Sequence, residues 1–245
     1  MLNQSLDKIL FFDIETAPVV HHYDELSEEM QHLWTEKFQK LSVAQPQRYQ
    51  EYADATAAWQ QAAIYAEFGR IVCISVGFCY MNDGEWHLRT KSFCGTDERQ
   101  ILVEFLELLG RFMLTPYHNL CGHNIKEFDV PYVCRRALIN GLPLPDCLQI
   151  GGKKPWEVHF IDTLEMWKFG DYKSYTSLKT LTALFGIPTP KDDIDGSEVG
   201  RVYYEEQNID RISVYCQKDV VATTQVFLRL MGEKTIPTGN IEKAN

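Results

Sequence analysis

The chain has 245 residues, of which 45% are apolar and 24% charged, and its formal net charge is −10. These values are typical of globular proteins, and the length allows one large domain or two small ones. The acidic balance argues against non-specific binding along nucleic-acid duplexes, which depends on many Lys and Arg contacts to phosphate. It does not exclude a nuclease that holds a few nucleotides beside bound cations.

The sequence predicts neither a membrane span nor a signal peptide. No apolar run approaches ~18 residues, and the four-residue run near the N-terminus is followed at once by acids and lacks a small-residue cleavage site. Seven cysteines without regular spacing are typical of reduced thiols. We therefore expect a cytoplasmic protein that makes no membrane contact.

The first predicted element is a buried strand over residues 8–16, where four apolar residues run directly into Asp13 and Glu15. Residues two apart on a strand share a face, so the two carboxylates project side by side. They repel each other unless a cation lies between them, and an oxygen-binding ion such as Mg²⁺ suits that position. The alternative is a frayed strand end with both acids in solvent, and this stretch alone leaves both interpretations open.

The rest of the chain alternates between strand and helix patterns. Residues 19–68 approximate helical spacing on either side of Pro46, which predicts a helical insertion. Further strands are predicted over 70–80, 86–93, 119–123 and 160–163, and helices over 97–114, 130–140, 164–168, 177–185, 198–206 and 209–231. Asp97 and Glu98 fall in the first helical turn, where acids are favoured. We expect a single α/β domain over residues 1–245 with a mixed sheet, helices on its faces, and a polar, mobile tail over 232–245.

A second acidic motif is Asn124-Ile125-Lys126-Glu127-Phe128-Asp129, which lies just before Pro131 at a predicted helix start. Gly122, upstream of it, permits a close approach of the backbone. An aspartate at a helix start is also expected as a simple N-cap, so capping is the alternative to a functional role for Asp129.

A third motif lies on the last predicted helix, where Tyr215 and Asp219 are four residues apart and share a face. Apolar residues flank that face, so Asp219 is expected near the buried side, where a carboxylate needs a partner. The alternative is a plain Tyr–Asp hydrogen bond at the helix surface.

Taken in order, the strand Asp-x-Glu, the Asn-x-x-x-Phe-Asp and the helical Tyr-x-x-x-Asp resemble the signature of the DEDDy 3′–5′ exonucleases. Tyr215, where a related subgroup has histidine, marks the tyrosine branch. The residues and spacing of the second and third motifs look most like those of the proofreading domains of family B DNA polymerases. In particular, they resemble the stand-alone predicted exonucleases related to that domain. The resemblance covers nearly the whole chain. It implies a ribonuclease H-like α/β fold with a central five-stranded mixed sheet and a helical insertion after the first strand.

The resemblance also implies a set of site residues. Asp13, Glu15, Asp129 and Asp219 are expected to hold two Mg²⁺ or Mn²⁺ ions, roughly 3.5–4 Å apart in such sites, with Asp13 bridging both. The ions activate water and stabilise the leaving 3′-oxygen, and Tyr215 orients the attacking water. Its ordinary pKa of about 10 makes it a better positioner than base.

Substrate contacts carry over less directly. Thr16 and Asn124 resemble positions that contact the terminal nucleotide. Phe128 is a candidate for stacking on a base, although a core phenylalanine is the alternative. Asp162 is an acid at a strand end that the family pattern does not count as a metal ligand.

The function expected from the sequence is removal of nucleoside 5′-monophosphates from the 3′ ends of single-stranded DNA. RNA is the alternative substrate, and the chain lacks a helical RNA-binding domain after Asp219, which favours DNA. A non-catalytic nucleic-acid or protein-binding module is a rival of another class, against which the presence of all four acids and Tyr215 argues. A further rival is a structural role in a repair complex, with the insertion as a docking surface.

Overall fold

The structure, a computed structural model, describes residues 5–154, 157–158, 160–171, 175–188 and 194–244. Its strands are β1 (Ile9–Pro18), β2 (Gly69–Asn82), β3 (Glu85–Cys94), β4 (Asn119–Gly122), β5 (Ile161–Asp162) and β6 (Ile241–Lys243). Its α-helices are α1 (Glu28–Ala44), α2 (Pro46–Tyr49), α3 (Glu98–Phe112), α4 (Asp129–Ile139), α5 (Thr163–Lys168), α6 (Leu178–Leu184), α7 (Val199–Arg201) and α8 (Ile209–Leu230). A π-helix, Val202–Glu206, continues α7.

The strands form one sheet in the order β5-β4-β1-β2-β3-β6. β1 pairs antiparallel with β2 across the insertion, and β2 pairs antiparallel with β3, to which a tight turn joins it. β4 pairs parallel with both β1 and β5, which requires the crossover helices between them. The predicted mixed α/β sheet is therefore confirmed, with six strands in place of five.

The two faces of β1 pack against different helices. Leu10, Phe12 and Ile14 lie in one buried cluster with residues of α3 and α4. Phe11 points to the opposite face, where its ring centroid lies 5.6 Å from that of Phe227 on α8. Every residue of β1 except Asp13 is buried. The two carboxylates that follow Phe11 at two-residue steps therefore face α8.

Helix α8 lies unusually close to the sheet because of a glycine on β2. A Cβ atom at Gly77 would lie 2.7 Å from Cγ1 of Val220, a distance that side-chain atoms do not tolerate. Asn208 starts the helix, since its side chain accepts a hydrogen bond from the Arg211 N–H at 3.1 Å. In the described part of the chain, no helix is both long and apolar enough to span a membrane.

The insertion over residues 19–68 is less helical than the sequence pattern indicates. Helix α1 forms as expected, but the second predicted helix, over 48–66, is wrong: only α2 and a 3-10 helix, Trp59–Ile64, form there. One reason is Asp54, whose side chain accepts the Ala57 N–H at 2.9 Å and so favours a turn over a helix. The segment is held instead by its own aromatic cluster, in which the Trp34 indole donates to the Ala55 carbonyl at 2.8 Å.

The C-terminal tail is also different from the prediction, because it docks on the domain. Ile236 is buried, and its backbone N–H and C=O both bond the side-chain amide of Gln225 on α8, at 2.9 and 2.7 Å. Beyond it, β6 pairs parallel with β3 between Ile241 and Leu88. Two isoleucines thus anchor the tail to the domain by burying apolar surface. The average composition of the tail is polar and does not predict this contact.

A buried ion pair joins the insertion, β2 and the helices on one face of the sheet. The Glu98 carboxylate accepts hydrogen bonds from Nε and Nη2 of Arg136 at 2.8 and 2.5 Å and from the Ile71 N–H at 2.7 Å. Nη1 of Arg136 donates to the Ala66 carbonyl at 3.0 Å. Both side chains are less than 10% exposed.

Candidate active site

Asp13 and Glu15 lie at the end of β1 under helix α8. The sheet register shifts between Glu15 and Thr16, so that the strand changes direction just after the two acids. Cys216 of α8 lies directly above them: its Sγ is 3.4 Å from the Asp13 carbonyl oxygen and 3.5 Å from Asp13 Oδ2. The structure therefore brings the first acidic motif against the helix that carries the third.

Asp129 completes the cluster from the neighbouring helix. The pairing of β4 with β1 ends at Phe11, so the N–H of Ile14 has no strand partner on that side. Asp129 Oδ1 accepts this N–H at 3.1 Å, and the side chain is 3% exposed. The N-cap residue of α4 is Phe128, whose side chain makes no capping hydrogen bond. Asp129 thus points to the end of β1 instead of capping its own helix.

Tyr215 and Asp219 lie one turn apart on α8, both half-buried. Tyr215 packs against a cluster that includes Ile212 and Cys216. The charge of Asp219 contributes to raising the pKa values of Asp13 and Asp129, so its carboxylate is within electrostatic range of both. All three acidic motifs therefore converge on one end of β1.

Electrostatically, the acids of the cluster raise one another's pKa values. Burial, and then the proximity of Cys216 and the other carboxylates, raises the pKa values of Asp13 and Glu15 well above their ordinary range. Burial raises the pKa of Asp129 to about 7, although its own N–H and that of Ile14 lower it in part. The side chains with the largest effects on Asp13 and Glu15 all raise the pKa values of these two acids further. A set of oxygen donors in this condition is chemically suited to divalent cations.

The residues between β4 and α4 are shaped by two backbone requirements. A Cβ at Gly122 would lie 1.7 Å from Cγ2 of Ile125 and 2.9 Å from the Phe12 carbonyl oxygen, so only glycine fits. Asn124 has φ +67°, in the left-handed region that asparagine adopts more readily than most residues. The Phe128 ring packs 5.5 Å from that of Tyr132 on α4, which is the contact that a core phenylalanine makes.

Thr16, the residue after Glu15, lines a small cleft. The cleft has a volume of about 140 Å³ and is bounded on one side by Arg48, Gln60 and Gln61 of the insertion. The opposite wall includes the loop at Ser197. The insertion, whose role the sequence does not reveal, thus forms a wall next to one of the predicted substrate-contacting residues.

A comparison with protein families identifies the chain. A family described as predicted 3′–5′ exonucleases related to the exonuclease domain of PolB matches residues 64–242, which is more than half of the sequence. The protein belongs to this family. The resemblance to stand-alone exonucleases related to the PolB proofreading domain is confirmed, as is the expectation of a 3′–5′ exonuclease enzyme. Among curated proteins, no match is found.

The same fold occurs in a larger protein of known structure. The family B DNA polymerase from the hyperthermophilic archaeon Pyrobaculum calidifontis matches with a TM-score of 0.51 and 16% sequence identity, over 90% of this chain. At this identity the likeness shows the fold alone, the ribonuclease H-like arrangement of a PolB exonuclease domain. The chain spans 24% of the polymerase chain.

Sequence reasoning assigned no role to Asp162, yet it organises this exonuclease's second motif. Its carboxylate is 3% exposed and accepts the backbone N–H groups of Asn124 at 2.9 Å, Lys126 at 3.2 Å and Leu164 at 2.9 Å. Its charge raises the pKa of Asp129, so it lies within electrostatic range of that acid, although it is not one of the expected metal ligands. The contacts with Asn124 and Lys126 form where β5 lies next to the 122–127 loop. Local sequence does not reveal them, because these two partners are about 40 residues away from Asp162.

Replacing Asp162 by alanine is expected to lower the free energy of unfolding by roughly 2 to 4 kcal/mol, because several buried N–H groups lose their acceptor. Amide hydrogen exchange at Asn124 and Lys126 should accelerate more than in the rest of the sheet. Asp162→Asn, which keeps one acceptor oxygen, should lose less, and the exposed Asp146→Ala should lose little. Unchanged exchange at Asn124 in Asp162→Ala would show that the loop is held by other contacts.

Proposed function

We propose that this protein is a metal-dependent 3′–5′ exonuclease that releases nucleoside 5′-monophosphates from the 3′ ends of single-stranded DNA. The observation that carries the proposal is the meeting of Asp13, Glu15, Asp129 and Asp219 at one end of β1. Membership in an exonuclease family supports the reaction, and the chemistry of the donor set supports the use of Mg²⁺ or Mn²⁺.

In this proposal the four carboxylates hold two divalent ions. Bound there, such ions lower the pKa of water and stabilise the leaving 3′-oxygen during phosphodiester hydrolysis. Asp13 would be the residue that contacts both ions, a role supported by the effect of Glu15, Asp129 and Asp219, all of which raise its pKa. Asp129 is fixed by the Ile14 N–H, which orients one of its oxygens and leaves the other for a cation.

Tyr215 has the role of orienting the attacking water. We expect Tyr215→Phe to retain Mn²⁺ binding and to slow hydrolysis roughly 10- to 100-fold, as for the loss of one hydrogen bond of about 1.5 to 3 kcal/mol in the transition state. Calorimetric Mn²⁺ titration and single-turnover kinetics measure the two effects separately. Tyr80→Phe, which removes a hydroxyl at the far edge of the sheet, is the matched control. An unchanged rate in Tyr215→Phe removes the tyrosine from the mechanism.

Thr16, Asn124 and Phe128 are proposed to contact the terminal nucleotide. Thr16 supports this role because it directly follows Glu15 and lines the cleft between the insertion and the loop at Ser197. Asn124 supports it because its left-handed conformation sets the direction of the loop next to Asp129. For Phe128, packing against Tyr132 accounts for one side of the ring, and stacking on a base would need the other.

Metal affinity is expected to rise with pH. Burial raises the pKa of Asp129 from 3.8 to about 7, so the folded protein binds more protons than the unfolded chain between about pH 4 and 7. The free energy of unfolding of the metal-free protein should therefore fall as pH rises through this window. Because Mn²⁺ must displace that proton, its affinity should increase by up to about tenfold per pH unit below pH 7.

Isothermal titration with Mn²⁺ at pH 5.5, 6.5 and 7.5 measures this dependence, and buffers of different ionisation enthalpy count the protons released. Asp129→Asn lacks the titrating group and should show a weaker dependence on pH. An affinity for Mn²⁺ that is equal at all three pH values contradicts the proposed role of Asp129 as a metal ligand.

The decisive assay uses single-stranded DNA and RNA carrying a labelled 3′-terminal nucleotide, incubated with Mg²⁺, Mn²⁺ or a chelator. We expect release of labelled nucleoside 5′-monophosphate from DNA, and loss of that release with the chelator. Release from RNA alone would select the exoribonuclease alternative. Binding without release from either substrate would select the non-catalytic module.

A further inference from the structure

One side chain in the acidic cluster has no part in the mechanism proposed above. Cys216 is fully buried, and its thiol contacts Asp13 from the same side as the expected cations. One ligand atom each from Asp13, Glu15 and Cys216 lie within 4.8 Å of one another. Among the residues that the structure describes, no other group of three His, Cys, Asp or Glu side chains has metal-binding geometry.

The separation of the ligand atoms matches a particular kind of ion. Zinc binds thiolate sulfur at about 2.3 Å and carboxylate oxygen at about 2.0 Å with tetrahedral angles, which places the sulfur and oxygen about 3.5 Å apart. The distance from Cys216 Sγ to Asp13 Oδ2 is 3.5 Å. Little movement is therefore needed for one ion to contact both atoms.

A second thiol lies beside Cys216. Cys73 lies in hydrogen-bonding contact with both Cys216 and Cys94, so it can support the sulfur of Cys216 from outside the ligand set. Thiolate sulfur selects zinc and other thiophilic ions, whereas Mg²⁺ prefers oxygen ligands alone. The same pocket thus offers donors for two classes of metal.

We propose that Asp13, Glu15 and Cys216 form a binding site for a thiophilic divalent ion such as Zn²⁺ or Cd²⁺, and that this ion inhibits the exonuclease. On binding, a metal–sulfur bond forms, the S–H bond breaks, and its proton passes to solvent. The ion occupies Asp13 and Glu15, two of the four carboxylates that the catalytic pair needs. The inhibition rests on the function proposed above, but the binding site does not.

The binding is tested without nucleic acid, by titrating Cd²⁺ and following the ultraviolet charge-transfer band of a Cd²⁺–thiolate bond. We expect one equivalent to produce the band in the wild type and in Cys134→Ser. Cys134 is the control, because it is a partly buried thiol that likewise has a second thiol, Cys147, nearby. Cys216→Ser should lose the band, with its fold checked by circular dichroism, and Cys216→Ala should behave in the same way. A band that persists in Cys216→Ser, or that never forms in the wild type, overturns the site.

The inhibition is tested by adding Zn²⁺ to the Mn²⁺-supported reaction, with each variant compared with its own uninhibited rate. Cys216→Ser should require at least about tenfold more Zn²⁺ for half-inhibition, since loss of one ligand weakens a metal site by that order. Equal sensitivity to Zn²⁺ overturns the inhibitory role. A Cys216-dependent band in a protein without nuclease activity would refute the proposed function alone, and an active nuclease without the band would refute this site alone.

Discussion

Asp13→Asn is expected to reduce the rate of nucleotide release by roughly 10³-fold or more, while making the metal-free protein more stable. The loss of rate corresponds to about 4 kcal/mol of transition-state stabilisation, because the proposed bridging ligand no longer carries charge. The gain in stability has a separate cause. Burial and the neighbouring acids raise the pKa of Asp13, which means that its ionised form opposes folding at neutral pH.

The two effects of Asp13→Asn are measured by single-turnover release of a labelled 3′-nucleotide and by thermal unfolding in the presence of chelator. Glu107→Ala, which removes an exposed carboxylate from the opposite helical layer, should change neither. Retained activity in Asp13→Asn would contradict the metal site, whatever the stability. A lower melting temperature without metal would contradict the interpretation of the cluster as mutually repelling acids.

Arg136→Met is expected to lower the free energy of unfolding by about 3 to 5 kcal/mol, which is the range for removing one partner of a buried ion pair. The Glu98 carboxylate would remain 6% exposed and would keep the Ile71 N–H, but it would lose its cation. For a domain of this length the melting temperature should fall by roughly 6 to 20 °C. Urea unfolding monitored by circular dichroism gives the free energy directly.

Two comparisons establish that burial causes the effect. The double variant Arg136→Met/Glu98→Gln should recover part of the loss, because it no longer leaves an uncompensated charge in the interior. Arg89→Met breaks a bridge of 2.7 Å to Glu242 whose side chains are about half exposed, and it should change stability far less. Equal losses in Arg89→Met and Arg136→Met would refute this account.

The buried pair also shows where local sequence patterns are insufficient. Asp97 and Glu98 both occur in the first turn of α3, where acids favour helix formation. Asp97 does cap the helix, accepting the Gln100 N–H at 3.1 Å. Glu98 instead turns inward to Arg136 of α4, 38 residues later in the chain. No local pattern distinguishes these two acids, because the difference lies in which helix packs against α3.

Local patterns also failed in the insertion and in the tail. The second helix predicted in the insertion is replaced by turns around an aromatic cluster, and the predicted tail is anchored by Ile236 and extended by β6. In both segments long-range packing decides the conformation, because the intrinsic conformational propensity of a short stretch is worth little against the burial of a few large side chains.

By itself the sequence determined the mixed α/β fold, the exonuclease family and the order of the three acidic motifs. These follow from the period of the apolar residues and from residue types that recur at short spacings, both of which are local in the chain. The tertiary structure decided what each acid contacts. Only folding places Asp129 against the Ile14 N–H, brings Asp162 to the Asn124 N–H, and brings the thiol of Cys216 to 3.5 Å from Asp13. These contacts join residues that are 38 to 203 positions apart, and the packing of helices on the sheet fixes such distances.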